Sequence, residues 1–412
     1  MCGRRKDLVV LIRRGQLPLW VAASLLAAVP AHAQTLTATQ ILQQFNAVIF
    51  GNFSSSADIE GRAVIGGNVA GSASFYINPS ASEAASTFAA LSVYGASNGG
   101  GSINVDNGGG VTVAGLNNAT LSLNGGNSVY IGGANSGGIT DNGGVATIGI
   151  NGNNTATVTA NGGGTIKING KGGNINGNGT STTNVYLPNS GDNNGNINNA
   201  TVHYGAVSLT NPLPTFASTI KTPLTNLSTQ LEGLTANSTV SSSNGTLTFN
   251  ATPNTSGQAV FNISASVLTG GNENVSFNAN GATTIIVNVT CGGSNCSISL
   301  PSSTDFLNPT TNAADTIWNF YNASTLNFGA EFGGTVLAPD AAVANSSPID
   351  GDLIANSFSG TGELHNYPFT GNLNFAVPEP ASIALLGVGF LGLIMVRRRH
   401  VDGKPEPSVR IQ

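Results

Sequence analysis

Residues 102–124 read SINVDNGGGVTVAGLNNATLSLN. Three short runs, 102–106, 111–114 and 120–124, alternate small aliphatics with Ser, Thr, Asn or Asp, and Gly-rich or Asn-rich links separate them. A period of two is the signature of a half-buried strand. Gly and Asn accept a positive φ at little cost, so the links suit tight turns. The pattern continues through 128–131, 145–150, 155–159, 165–169 and 184–187, at the spacing of about 8–12 residues typical of all-β chains. Such spacing suits a sandwich, an up-and-down barrel or a solenoid. Between 99 and 195 the only aromatic residues are Tyr130 and Tyr186. Small polar side chains stack well into ladders but fill a wide sandwich core badly. The reading is a mainly β chain, a β-solenoid or β-helix-like domain with one or two flanking helices, in which 99–195 is a Gly/Asn-rich, repeat-like insert.

Further along, strand patterns recur at 245–250, 258–263, 274–277, 283–289, 297–300, 316–321 and 325–328. Aromatic residues gather here, and Trp318, Phe320 and Tyr321 are expected in a core. Two apolar stripes have helical spacing. The first, over 37–49, carries Ile41, Leu42, Phe45 and Val48; the second, over 214–234, carries Phe216, Ile220, Leu224, Leu227, Leu231 and Leu234. Pro223 is expected to kink or split the second. Helices laid on a sheet cover apolar surface and protect it.

The chain has 412 residues, of which 55 are Gly and only 8% are charged, with a net charge of -5. Its 40% hydrophobic content excludes disorder driven by charge repulsion. The charge is unevenly spread: 1–33 carries +4, 378–412 carries +2, and the body between is -11 with four cations, Arg62, Lys167, Lys171 and Lys221. A body without basic patches is a poor partner for nucleic acid or anionic headgroups.

Both ends read as targeting segments. Basic residues, an apolar run over 17–29 and the small-x-small Ala31-His32-Ala33 mark 1–33 as a signal peptide cleaved near Gln34, for export by the general secretory route. At the other end, Pro378-Glu379-Pro380 precedes an apolar stretch and Arg397-Arg398-Arg399. Residues 381–396 as a helix span about 24 Å, short of a ~30 Å hydrocarbon core unless the arginines snorkel. The positive-inside rule keeps those arginines and the tail 400–412 cytoplasmic, and places 34–376 outside the inner membrane. This arrangement over 377–399 resembles the PEP-CTERM sorting signal of exopolysaccharide-producing Gram-negative bacteria, which implies an exosortase as a transient processing partner. A plain membrane anchor is the alternative. The mature cysteines, Cys291 and Cys296 in CGGSNC, are close enough for a disulfide stapling a hairpin tip, as export would favour; a metal site would need further ligands, and no His lies nearby.

Inside the body, Phe50-Gly51-Asn52-Phe53 and the run 58–68 (DIEGRAVIGGN), followed far downstream by 317–321, 331–339 (EFGGTVLAP), 349–358 (IDGDLIANSF) and 362–369 (GELHNYPF), resemble the choice-of-anchor A family. The shared motif positions are Glu60, Gly61, Arg62, Gly66, Gly67, Glu363 and His365. The resemblance implies an exported bacterial surface adhesin with a β-rich, solenoid-like fold and a C-terminal anchor. The two blocks are expected to form neighbouring coils at one end of the domain, bringing Asp58, Glu60 and Arg62 near Asp350, Asp352, Glu363 and His365.

Enzyme chemistry finds few candidates. Glu363 with His365 could form an acid–base pair, and two carboxylates could cleave a glycoside. Yet the mature body holds only His203 and His365, and it has no Gly-x-Ser-x-Gly nucleophile elbow in a strand-to-helix setting and no HExxH. No enzyme, cofactor or metal site is expected. Asp106-Asn107-Gly108 and Asp141-Asn142-Gly143 tempt with calcium, but the tandem calcium-binding nonapeptide is missing. The leading reading is an adhesin or exopolysaccharide and biofilm matrix scaffold, whose partner is extracellular polysaccharide or a cell surface. Ice or glycan binding through arrays such as Thr155-Ala156-Thr157-Val158-Thr159 is the alternative; ice needs a regular grid, which the uneven spacing argues against.

Overall fold

The computed structural model describes residues 36–374, apart from 127, 180, 271–273 and 294–295. The signal peptide with Ala31 and Ala33, and the sorting segment with Pro378, Glu379, Pro380 and Arg397, Arg398 and Arg399, lie outside the described residues. Among the described residues no helix is long and apolar enough to cross a membrane.

The alternating runs become strands of a parallel β-solenoid. Its sheets hold 18, 11 and 4 strands, called here sheets A, B and C. Each coil contributes one or two strands to sheet A and one to sheet B or C, with inner side chains meeting in one core. In sheet B, Ile103, Leu121, Ile139, Val158, Ile175 and Ile197 stack in register. In sheet A, Val93, Val113, Ile131, Ile150 and Ile168 do the same. Each fully buried aliphatic side chain contributes about 1.5–3 kcal/mol relative to exposure. The 99–195 stretch is thus a set of stacked coils continuous with the rest. Sequence reading missed the strands Ile139–Asp141 and Asn174–Gly177 within it and Ala200–Tyr204 just beyond it, whose polar content masks the alternation.

The chain does not wind from one end to the other. Ala47–Ile49 enters mid-solenoid, between Ala63–Ile65 and Leu353–Gly360. Coils then proceed to one end at Ala200–Tyr204. The chain returns across sheet A and restarts at the far end with the antiparallel pair Thr239–Ser243 and Thr246–Asn250. Later coils run back to the middle, where Leu364–His365 pairs with Asp58–Ile59. The two family-like blocks are therefore neighbours, but at the centre of the solenoid, not at one end as the sequence suggested.

Three helices accompany the coils. The stripe over 37–49 is helical only over α1 (Ala38–Leu42), closed by a Thr37/Gln40 capping box; its second half is a strand whose three residues are all buried. The chain turns at Asn46, so Val48 meets the helices from the sheet while Ala47 and Ile49 point into the solenoid. The second stripe forms a wide-turn π segment, Ala217–Lys221, running directly into α2 (Thr222–Glu232). Pro223 sits in the first turn of α2, where its missing N–H costs little, so the helix continues without breaking. Ile220, Leu224, Leu227 and Leu231 bury against Val64, Ile286, Ile317, Leu337 and Ile354 on the outer face of sheet A. Ser228 donates to Asn319 Oδ1 (2.6 Å), and Asn288 donates to the Leu231 carbonyl (2.7 Å), fixing the helix on the sheet. The third helix, α3 (Ala265–Thr269), is one short turn.

Cys291 and Cys296 are joined. The strands on either side, Thr284–Thr290 and Cys296–Leu300, pair in parallel with Thr316–Asn319 and Ala323–Phe328. The bond therefore closes a corner of a coil and not a hairpin tip. Asn322 hydrogen-bonds both the N–H and the carbonyl of Cys291 across that corner.

Candidate functional site: a polar sheet face and an acid–histidine seam

Because strands alternate, burying one row of sheet B exposes the next. The outward-facing row runs Ser74, Asn104, Ser122, Thr140, Thr159, Asn176 and Asn198, one per coil and in register, half-buried apart from the exposed Asn198. Two residues earlier on each strand, Ser102 lies beside Thr120, and Thr157 beside Asn174. Strand geometry spaces these groups by about 4.8 Å across the sheet and about 6.6 Å along it. The irregular spacing seen in sequence is absorbed by the corners, and the face itself is regular.

Along the rim, amides are chained coil to coil. Asn142 donates to Asn124 (3.2 Å), Asn161 to Asn142 (3.1 Å) and Asn178 to Asn161 (3.3 Å), while Asn124 donates to the Asp106 carboxylate (2.5 Å). Asp106, read as part of a calcium-like turn, is the acceptor that ends this ladder. A second ladder is buried: Asn117 donates to Asn135 and Asn135 to Asn154, both at 2.7 Å.

The second cluster lies where the two halves of the solenoid meet. His365 Nδ1 is 2.5 Å from Asp350 Oδ1 and its Nε2 is 3.1 Å from Glu363. Burial pulls the imidazole down, but its bonds to Asp350 and Glu363 and the charges of Asp350 and Glu60 outweigh this and hold its pKa above the ordinary value. Glu331 is raised by burial and by the Asp350 carboxylate it faces. Glu60 accepts from the Asn366 N–H (2.8 Å) and from Asn78 (3.2 Å), and its own N–H donates to the Leu364 carbonyl. It therefore bonds across the seam.

Arg62 does not join this group. It pairs with Glu83 at 2.5 Å, bonds the Tyr76 hydroxyl and lies 5.0 Å over the Tyr76 ring. Burial raises Glu83 more than Arg62 and Asn366 lower it. Asp58 sits in register with Ser74, on the side facing the next coil. Asp352 is fully buried, accepts from Thr335 and from the Phe369 N–H, and burial keeps its pKa well above the carboxylate range. So Glu60, Asp350, Glu363 and His365 come together, whereas Asp58 and Arg62 do not.

The motif glycines serve close packing. A Cβ on Gly61 would lie 2.7 Å from Asn46 and 2.8 Å from Asn366, and one on Gly66 would meet the Phe216 ring at 2.7 Å. Gly67 donates to the Gly51 carbonyl. Sequence reading missed Asn46, Glu83, Glu331 and Asn366. Asn46 is the most telling: buried, it donates to the carbonyls of Gly351 and His365 and accepts from Gly61 N–H. Its one signal in sequence was a polar residue inside an apolar stripe.

Chemically, the seam holds acidic groups inside the fold: Asp350 and Asp352 have no exposed surface. The sheet B face offers many weak donors and acceptors to a large partner.

A profile described as "Putative Ice-binding-like adhesive domain" matches residues 38–147 and 118–366. A profile for the PEP-CTERM protein-sorting motif matches 376–399. Among solved structures, the chain is similar to the crystal structure of an ice binding protein from an Antarctic Flavobacteriaceae bacterium, at 13% identity and a TM-score of 0.24, covering 82% of this chain and 100% of that one. No curated protein matches the sequence significantly. The adhesive-domain profile covers most of the body and the sorting profile covers the C-terminal segment, so the chain belongs to the ice-binding-like adhesive domain family and is an exported, adhesin-like protein with a PEP-CTERM signal.

Proposed function

We propose that the chain is a surface adhesin or scaffold of an exopolysaccharide matrix, and that the exposed face of sheet B is its contact surface. The observation that carries this reading is the register of that face: Asn104, Ser122, Thr140, Thr159 and Asn176 stand one per coil. A repeating partner such as a polysaccharide meets the same amide and hydroxyl groups at each step. Each bond is weak, and adding them along one rigid face raises avidity. The choice-of-anchor A resemblance fits the same role. Export by the general secretory route, transient anchoring in the inner membrane and exosortase processing at Pro378-Glu379-Pro380 complete it.

The seam is a structural joint in this reading, and the chain is not an enzyme. A two-carboxylate hydrolase needs both carboxylates to reach substrate, and two of the seam's acids, Asp350 and Asp352, are buried. The test is capture of extracellular polysaccharide by the full chain, together with biofilm formation by cells producing it. Thr140→Val with Thr159→Val should weaken capture and leave the fold intact. Turnover of the polysaccharide, lost in Glu363→Gln, would refute the reading.

A second reading, adsorption to ice, is favoured by the same regularity, which the sequence had hidden. The face mixes Thr with Asn and Ser, and Asn amides and bare Ser hydroxyls bind water less like a lattice than methyl-bearing threonines. Thermal hysteresis that disappears in Thr159→Val would favour ice over glycan.

A further inference from the structure

Sheet A has two outer halves. Helix α2 covers one, whereas the other, over the strands Val111–Val113, Ser128–Ile131 and Ala146–Ile150, is crossed only by the return segment 205–214. There a groove of about 450 Å³ opens between this segment and Phe88. Its floor follows from register: Thr112, Tyr130 and Gly149 stand side by side, and Ser128 stands beside Thr147. Gly149 leaves room for Leu209 of the return segment, which a Cβ would approach to 3.0 Å. Phe88 is held from behind by an edge-on contact with Phe45 at 5.2 Å.

Three features of this groove are chemical. Its lining contains no charged residue. The hydroxyls of Thr112, Ser128, Tyr130 and Thr147 have no hydrogen-bond partner among the described residues, although Thr112 is 5% exposed. Among the described residues no ring stacks on Tyr130, unlike Tyr186, which lies against His203 at 4.7 Å with Lys167 at 6.0 Å. Unused hydroxyls around a free aromatic ring match a sugar: its C–H face packs on the ring and its hydroxyls take the hydrogen bonds.

We propose that this groove is a second binding site, taking a segment of neutral polysaccharide with Tyr130 as the stacking surface and Ser128 and Thr147 as hydrogen-bonding groups. A neutral chain is specified because the lining has no cation to pair a uronate and the body is strongly acidic. The proposal shares a ligand class with the reading above but sits on a different sheet, so the two can fail separately.

The test is affinity electrophoresis of the full chain in native gels containing hydroxyethyl cellulose, laminarin or polygalacturonate. Retardation by at least one neutral glucan is expected. It should fall sharply in Tyr130→Ala, weaken less in Tyr130→Phe and persist in Glu232→Gln, an exposed position on helix α2. Thr147→Arg fills the groove from an exposed position and should give the same loss even if Tyr130→Ala fails to fold. Three results would overturn the proposal: no retardation by either neutral glucan, retardation by polygalacturonate alone, or loss in Thr159→Ala with Tyr130→Ala and Thr147→Arg unaffected. The last result would keep the sheet B reading and remove this site.

Discussion

The coils between Asp58 and Tyr204 and those between Thr239 and His365 share one architecture but close their cores differently. In the first arm strands are short, two to five residues, and the inner rows are Val, Ile and Leu with two amide ladders at the corners. In the second arm strands reach eleven residues in Thr335–Asn345. There Trp318 packs against Phe249, Phe306 and Phe332 within 6 Å. A solenoid coil can thus be made narrow, with stacked amides satisfying its corners, or wide, with rings filling its interior. Gly and Asn suit the first because they turn tightly and ladder; aromatic residues suit the second because only large side chains fill a wider coil without voids.

The largest expected effect tests the wide arm. Trp318→Ala removes a fully buried ring and should cost about 3–5 kcal/mol in urea unfolding. A cost under half of that would mean the aromatic cluster relaxes and the contrast between the arms is superficial. In the narrow arm, Asn135→Ala leaves Asn117 without its acceptor and Asn154 without its donor, at about 1–3 kcal/mol for each orphaned group. If Asn135→Leu restores stability fully, packing and not hydrogen bonding holds that corner.

The seam between the arms should respond to pH. The His365 pKa is raised in the fold, so its stabilising contribution is complete below the unfolded value of about 6.5 and fades as pH rises through the folded value. The raised carboxyls of Asp352 and Glu83 act in the same direction, beginning near their lower unfolded values. The melting temperature should therefore fall as pH rises, and His365→Gln should remove the part of that fall that lies above about pH 6.5. A melting temperature that rises across this range would show that the seam does not favour the protonated imidazole. The smallest effect concerns the exposed face: Thr159→Ala should alter stability by less than about 0.5 kcal/mol, so any change in polysaccharide capture there reports contact and not folding.

Much of this was legible in the sequence because solenoid strands are local. Alternation over 102–187 places inner and outer residues without knowledge of the neighbours, and the amphipathic stripe of α2 shows which face it buries. The stripe over 37–49 misled because Ala47, Val48 and Ile49 are buried on both sides, and a strand covered on both faces loses its period-two signal. The candidate site was half legible. Glu60, Glu363 and His365 stood out as scarce charges in similar motifs. Asn46, Glu83 and Asn366 did not, since an amide or carboxylate in a loop carries no sign of the distant backbone it will bond.

By itself the sequence determined the material of the molecule: short strands, tight Gly and Asn corners, an apolar helix to cover one face, an acidic body between two basic ends. These follow from nearest-neighbour chemistry, in which a side chain's size, polarity and permitted φ act within a few residues. Tertiary structure alone decided where the chain begins its winding. Ala47–Ile49 fits between Ala63–Ile65 and Leu353–Gly360 because both of its faces need cover, and there the solenoid core takes Ala47 and Ile49 while the helices cover Val48. That choice brings His365, Asp350 and Glu60 together across about three hundred residues of sequence, and it aligns the Ser, Thr and Asn rows of sheet B into a single regular face.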